Sequence, residues 1–344
     1  MEILESLHPV SLYTFSHRFP TIHVPKEHEY LLRLLKQIPK NEQIDFLNRF
    51  VEYLAWSPKY VNEQTSSFSS GGGPEDIEQA YLSAMEDHKG LAALFHASEM
   101  AEKNSLREVL RTILQVGCND VSQAIGHYFS CTESVVRLAW EAEMPRAKNH
   151  LFLLTLYLMQ SSPIKITSYR EPTQSLDEIL AKLVRKGGFA GYHYMILVNG
   201  LIKNRDLLGD NHYLHALHGL EMILPGLSDT LSPEKIDLMI RNEPRSIDPL
   251  KDLKKYIWKG EKVKAFATLR QYLKEEGVTQ ELTTAIAHTY TRIDGHPHDP
   301  HYVTFPTSAF ELIPHLEEEG VELVLAHSVE FVVNRVKELG IMPQ

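Results

Sequence analysis

Cysteine is almost missing from this chain. Only Cys118 and Cys131 are present, and their spacing fits no zinc signature and allows no disulfide framework. A reducing compartment is the simple expectation. Positive charge is also short: 35 Lys and Arg against 45 Asp and Glu leave a formal net charge of -10. That balance argues against nucleic acid, whose phosphates demand basic side chains, and against a polybasic membrane patch. Long apolar runs are lacking, because the longest, Leu151 to Met159, is too short to span a bilayer. Residues Met1 to Pro9 lack the basic start and apolar stretch of a secretion signal. The expectation is a cytoplasmic protein that takes a small-molecule substrate and contacts neither nucleic acid nor membrane. Phosphate-binding signatures are missing as well. The glycine run at 71–73 and the pair Gly187-Gly188 lack the following Lys-Ser/Thr or the dinucleotide fingerprint, and there is no nucleophile elbow. Strand signal is confined to Ile164–Tyr169, too short to define a sheet.

What is present is helical spacing. Apolar residues make up 43% of the chain, enough for a folded core, and they recur three and four apart in most segments. Tyr30–Ile38 ends at Pro39, and Ile44–Trp56 ends before Pro58. Ser105 with Glu108, and Ser175 with Glu178, have the capping-box spacing. Ser232 before Pro233 reads as an N-cap followed by proline in the first turn. Helical stretches are expected near 76–102, 105–116, 120–142, 147–160, 175–186, 189–204, 211–224, 232–241, 249–259, 261–275, 279–292, 306–316 and 319–338. The fold class is therefore all-α, with neighbouring antiparallel helices around a polar cavity. The chain reads as a single helical domain over residues 1–344, with a Ser/Gly-rich mobile loop near 62–73.

Histidine is the abundant oddity, with 18 in the chain. Several precede or interrupt apolar helices: His150 before LFLLTLYLM, His193 before MILV, and His288 within AIAHTY. A buried imidazole without partners loses hydrogen-bond energy, so such placement implies a polar pocket, a cofactor or a metal. The expected cavity lining is His96, His127, His150, His193, His215 and His301. His-x-x-Glu recurs at His96/Glu99, His218/Glu221 and His327/Glu330, and positions three apart share a helix side. His88 is expected on the side of His96 and Glu99, because eight and eleven residues bring a helix nearly back to the same angle. Imidazole and carboxylate on facing helices build metal sites in bundles, which makes His96, Glu99, His215 and His218 the candidate metal ligands. The usual order there, Glu-x-x-His, is not found in a convincing helix, and a surface helix contact competes for each pair. In GHPHDPHY the prolines make a kinked loop. His296 and His298 are expected at the surface there, and His301 is expected to point inward. Around GHYFSCTESVVRLAWE, Glu133 and Arg137 have the spacing of a helix ion pair. Facing a pocket, Arg137 could instead hold an anionic oxygen. Cys131 reads as a small core residue.

The order of four segments resembles the questin oxidase-like family. They are HVPKEHEYLLRLL with the following LNRFVEYL; DHKGLAALFHASEMAEKNSLREVLRTIL; TESVVRLAWEAE; and HYVTFPTSAFELIPHL. The third resembles the family's central helix with Arg137 at its arginine, and the fourth opens on His301. At Glu133 the chain departs from the family, which has a histidine there. The resemblance implies a helical fold and an oxidoreductase acting on an aromatic or polyketide-like molecule with oxygen. NADPH or a transition metal would be the cofactor. In that role an inward histidine is a general base towards a phenolic hydroxyl, and Arg137 stabilises the oxyanion. The catalytic candidates are His127, Arg137, His150, His193 and His301. The alternative is a non-catalytic helical protein that binds a metal or ligand.

Overall fold

Helix starts spelled out in the sequence are where the chain begins to coil. Ser105 accepts from the Glu108 amide while Glu108 reaches back to the Ser105 amide, and Ser175 and Glu178 do the same. Ser232 accepts from the Lys235 amide with Pro233 in the first turn. The computed structural model describes residues 22–57, 76–141, 144–160, 168–291 and 301–339, with Leu7, Val10 and Ser11. Among the described residues it is 80% helical with 17 helices. Among the described residues there is no strand, and one isolated bridge joins Lys186 to Asp229. The all-α expectation holds. The Ser/Gly segment at 62–73 lies outside the described residues, as do His296, His298 and most of Ile164–Tyr169.

Contacts gather the helices into two compact units. The first comprises Met1–Glu29, Ser57–Thr173 and Leu197–Ile223; the second comprises Tyr30–Trp56, Gln174–Ile196 and Leu224–Gln344. In chain order the helices are α1 His23–Leu35, α2 Ile44–Trp56, α3 Ile77–Glu86, α4 Gly90–Lys103, α5 Leu106–Cys118, α6 His127–Glu141, α7 Met144–Leu158, α8 Leu176–Leu183 and α9 Gly188–Lys203. They continue as α10 Arg205–Leu208, α11 Asp210–Ile223, α12 Pro233–Ile240, α13 Pro249–Trp258, α14 Lys262–Glu276, α15 Gln280–Thr291, α16 His301–Leu312 and α17 Glu318–Leu339.

In the first unit, α6 packs on α5 and α7, and α7 packs on α4. Every α6 residue from Phe129 to Val136 is buried, so this helix is central despite Ser130, Thr132, Glu133 and Ser134. In the second unit, α16 packs on α15 and α17, and α14 packs on α13 and α17. Phe305, Leu312, Val324, Leu325 and Val332 of α16 and α17 are fully buried, each stabilising the fold by roughly 1.5–3 kcal/mol.

Two boundaries differ from expectation. The helix expected over 76–102 breaks after Glu86, where His88 takes a left-handed φ of 53°. His88 therefore does not share a helix side with His96. The helix expected from 120 starts at His127, because Ala124 and Ile125 are left-handed (φ 47° and 51°). Gly126 follows at φ 82°, where a Cβ would come within 2.6 Å of Leu197.

The capping serines give a test of helix ends apart from the core. Ser105→Ala and Ser175→Ala should each lower unfolding free energy by about 1 kcal/mol, read as a lower urea midpoint with unchanged slope.

Candidate functional site

The site in the second unit begins with a missing side chain. A Cβ on Gly187 would stand 1.9 Å from Thr230 Oγ1 and 2.7 Å from His327 Cε1, so glycine lets the chain pass close to both. Gly188 then turns at φ 70° and α9 starts. One turn in, His193 Nδ1 lies 2.5 Å from the Phe189 carbonyl oxygen. A carbonyl only accepts, so Nδ1 carries the proton and Nε2 carries the lone pair. His301, the first residue of α16, places its Nε2 at 2.8 Å from that lone pair, and so its Nε2–H donates. The rings meet edge to face with centroids 4.6 Å apart, and both residues are buried. This is a directed pair of imidazoles: His301 donates to His193, and His193 donates to the backbone.

The walls of the pair are aromatic. Phe189 stands 4.2 Å from the His193 ring and 5.6 Å from the His301 ring. Phe331 lies 6.4 Å from His301 and stacks on Tyr290. Tyr192 packs on Phe305 and Phe331. Beside them sits a charged cluster. His327 Nε2–H donates to the Val184 carbonyl at 2.9 Å, with Nδ1 3.6 Å from a Glu330 oxygen. Lys262 donates to Glu330 at 3.0 Å. Burial works to raise the Glu330 carboxyl, but the neighbouring His327 imidazole and the hydrogen bond and charge of Lys262 outweigh it and hold it below its ordinary value. The Tyr192 hydroxyl is pushed well up, first by burial and then by the Glu330 charge.

The other expected residues fall in the first unit. His127 donates Nδ1–H to the Ala124 carbonyl at 2.6 Å, and its ring lies 5.0 Å from that of His23. His150 is buried on α7. His96 is 3.4 Å from Glu99, which also takes Lys103. His218 is 3.5 Å from Glu221, whose carboxylate accepts from the amide and hydroxyl of Thr173. His215 accepts from the Arg170 amide at 3.2 Å, and burial chiefly lowers its pKa. His96, Glu99, His215 and His218 therefore do not assemble as metal ligands: no three of them bring ligand atoms together. Each His-Glu pair is a local helix contact. Arg137 donates to the Lys203 carbonyl at 3.1 Å and lies 3.6 Å from buried Glu133, so the expected ion pair is present.

Sequence reasoning missed Lys26, which is buried and donates to Ser130 at 2.8 Å. It also missed the Tyr192–Glu330–Lys262 cluster. The signal for the cluster was a charged residue at an apolar helix position, Glu330 within LAHSVEFVV.

No family model matches the chain, and no curated protein or solved structure matches it.

Two outcomes follow from burial. Desolvation pushes both thiols up, Cys131 and Cys118 alike, so neither should react with a disulfide reagent at pH 8 until urea unfolds the protein. His212 hydrogen-bonds Tyr169 at 3.0 Å, and burial first, then the His215 and Arg111 charges, lower it from 6.5 to about 4. An unfolded chain then binds the proton that the folded one refuses. Stability from this group is full above pH 6.5 and is lost as pH falls towards 4. The His212 proton resonance should titrate near pH 4 by NMR, and His212→Gln should flatten stability across that window.

Proposed function

We propose that the chain is an oxidoreductase that deprotonates a phenolic or quinone-type aromatic small molecule for oxidation by dioxygen. The observation that carries the base chemistry is the buried, directed His301–His193 hydrogen bond among aromatic rings. The choice of oxidation rests on the questin oxidase-like resemblance. A phenolic proton taken up by His301 is matched by transfer of its Nε2 proton to His193 Nε2. The substrate O–H bond breaks, one N–H bond forms at each ring and one breaks at His301. The positive charge comes to rest on His193, where the Phe189 carbonyl already faces Nδ1–H. Such a relay separates phenolate from proton by two rings, and a positioned base of this kind contributes about 10²–10⁴-fold.

The resemblance also implies NADPH, and the histidine spacing points to a transition metal as the other cofactor. One metal held by both rings would need them to part. Nitrogens bound at 2.0–2.1 Å to a tetrahedral ion stand roughly 3.4 Å apart, whereas these stand at 2.8 Å. In this arrangement a proton joins the two rings, and no step is routed through a metal. For NADPH the chain offers no phosphate loop.

Oxygen uptake tests the reading. With a panel of hydroxylated anthraquinones and NADPH, substrate-dependent consumption is expected, and His301→Gln or His193→Gln should cut turnover about a hundred-fold while circular dichroism stays helical. Binding of these phenols without oxygen uptake would favour the non-catalytic ligand-binding alternative. No binding and no uptake would end the proposal.

A further inference from the structure

A recess of about 210 Å³ opens on the first unit between the start of α5, the end of α6 and the α9–α10 corner. Two arginines from different helices face it with most of their hydrogen-bonding capacity unspent. Arg137 makes one hydrogen bond, from Nη2 to the Lys203 carbonyl. Its Nε is buried with no hydrogen-bond partner, and the nearest carboxylate oxygen, on Glu133, is 3.6 Å away. Arg107 has one contact, at 3.5 Å to the Asp206 carbonyl. A guanidinium carries a planar fork of donors suited to a carboxylate, and neither fork is filled by protein.

The third element is Trp140, one helical turn beyond Arg137 and half exposed at the rim. Among the described residues no ring contact holds the indole. Val136 and Leu207 add apolar floor. Glu141 and Asp206 also line the recess and oppose an anion. Both are exposed, where solvent screens them, while Arg137 is 34% exposed and loses less of its field. Glu133 lies behind Arg137 with an oxygen 3.6 Å from Nε and accepts from Asn204 at 3.2 Å, while the Arg137 side chain lines the recess.

We propose that this recess binds a small aromatic carboxylate, its carboxylate on Arg137 and Arg107 and its ring against Trp140. A bare phosphate would satisfy the arginines and leave the indole and the apolar floor unused. A neutral ring would leave the guanidinium forks unpaired. The site is independent of the His193–His301 chemistry, so failure of either proposal leaves the other standing.

The probe is 4-nitrobenzoate, followed by equilibrium dialysis and by quenching of tryptophan fluorescence. Saturable binding is expected. Arg107→Gln and Arg137→Gln should each weaken it about ten-fold, and Trp140→Ala should weaken it in dialysis. In Trp140→Phe the quenching should vanish although two other tryptophans remain. Arg107 is exposed, so its variant keeps the test valid if removing Arg137 from buried Glu133 disturbs folding. The proposal is overturned by lack of saturation up to about 10 mM or by unchanged binding in folded Arg107→Gln. Equal binding of 4-nitrobenzamide, or displacement by inorganic phosphate as effective as by benzoate, would overturn the ligand class.

Discussion

An imidazole taken out of water brings two ring nitrogens that must both find partners, and inside a helical protein the backbone has spent most of its donors and acceptors on itself. The carbonyls that remain lie at helix ends and breaks. Three of the buried histidines reach a backbone carbonyl beside a helix end or break. His127 uses the Ala124 carbonyl, which also accepts the His127 amide, at the break where Ala124 and Ile125 leave helical geometry. His327 uses Val184, the residue that closes α8. His193 uses Phe189 in the first turn of α9. In each case the carbonyl fixes which ring nitrogen carries the proton, and so fixes what the other nitrogen can do. At His193 the remaining nitrogen accepts from His301, and a pair with a defined direction of proton transfer results.

The same constraint governs the buried charges. Glu330 is held by Lys262 with His327 alongside, and Arg33 pairs with Glu311 between α1 and α16. Arg270 lies between Asp237 and Glu322. Removing one member of such a set leaves an uncompensated buried charge, which costs more than the pair contributes. These sets therefore act as registration devices: each fixes one helix against another at a single rotation and height. The charged cluster on α17 does this for Tyr192, the neighbour of His193 on α9, and thereby for the aromatic wall beside the imidazole pair.

Arg137 shows how one residue can serve packing and recognition together. Its Nη2 closes the carbonyl end of α9 and its Nε edge faces Glu133. Those contacts make the guanidinium rigid before any ligand arrives, which lowers the entropy lost on binding. The rest of the donor fork then meets the recess in a fixed orientation beside Trp140.

Local chemistry was written in the chain. The capping boxes at Ser105 and Ser175, the Ser232-Pro233 start and the three-and-four apolar spacing each act within one helical turn, so residue order alone specified the helices. The Glu133–Arg137, His96–Glu99 and His218–Glu221 pairs were legible for the same reason. The inward turn of His301 followed from the apolar run it opens. What the chain order left open was every choice made between segments far apart. The metal set of His96, Glu99, His215 and His218 was compatible with helical spacing, but Lys103 had taken Glu99 within its own helix and the Arg170 amide, far away in sequence, had taken His215. The 76–102 helix broke at His88 because two successive helices pack on each other, which an unbroken rod could not do. Nothing in the chain order marks Lys26, whose ammonium donates to Ser130, more than a hundred residues on. Whether His193 meets His301 depended on how α9 packs against α16, and only packing could decide it.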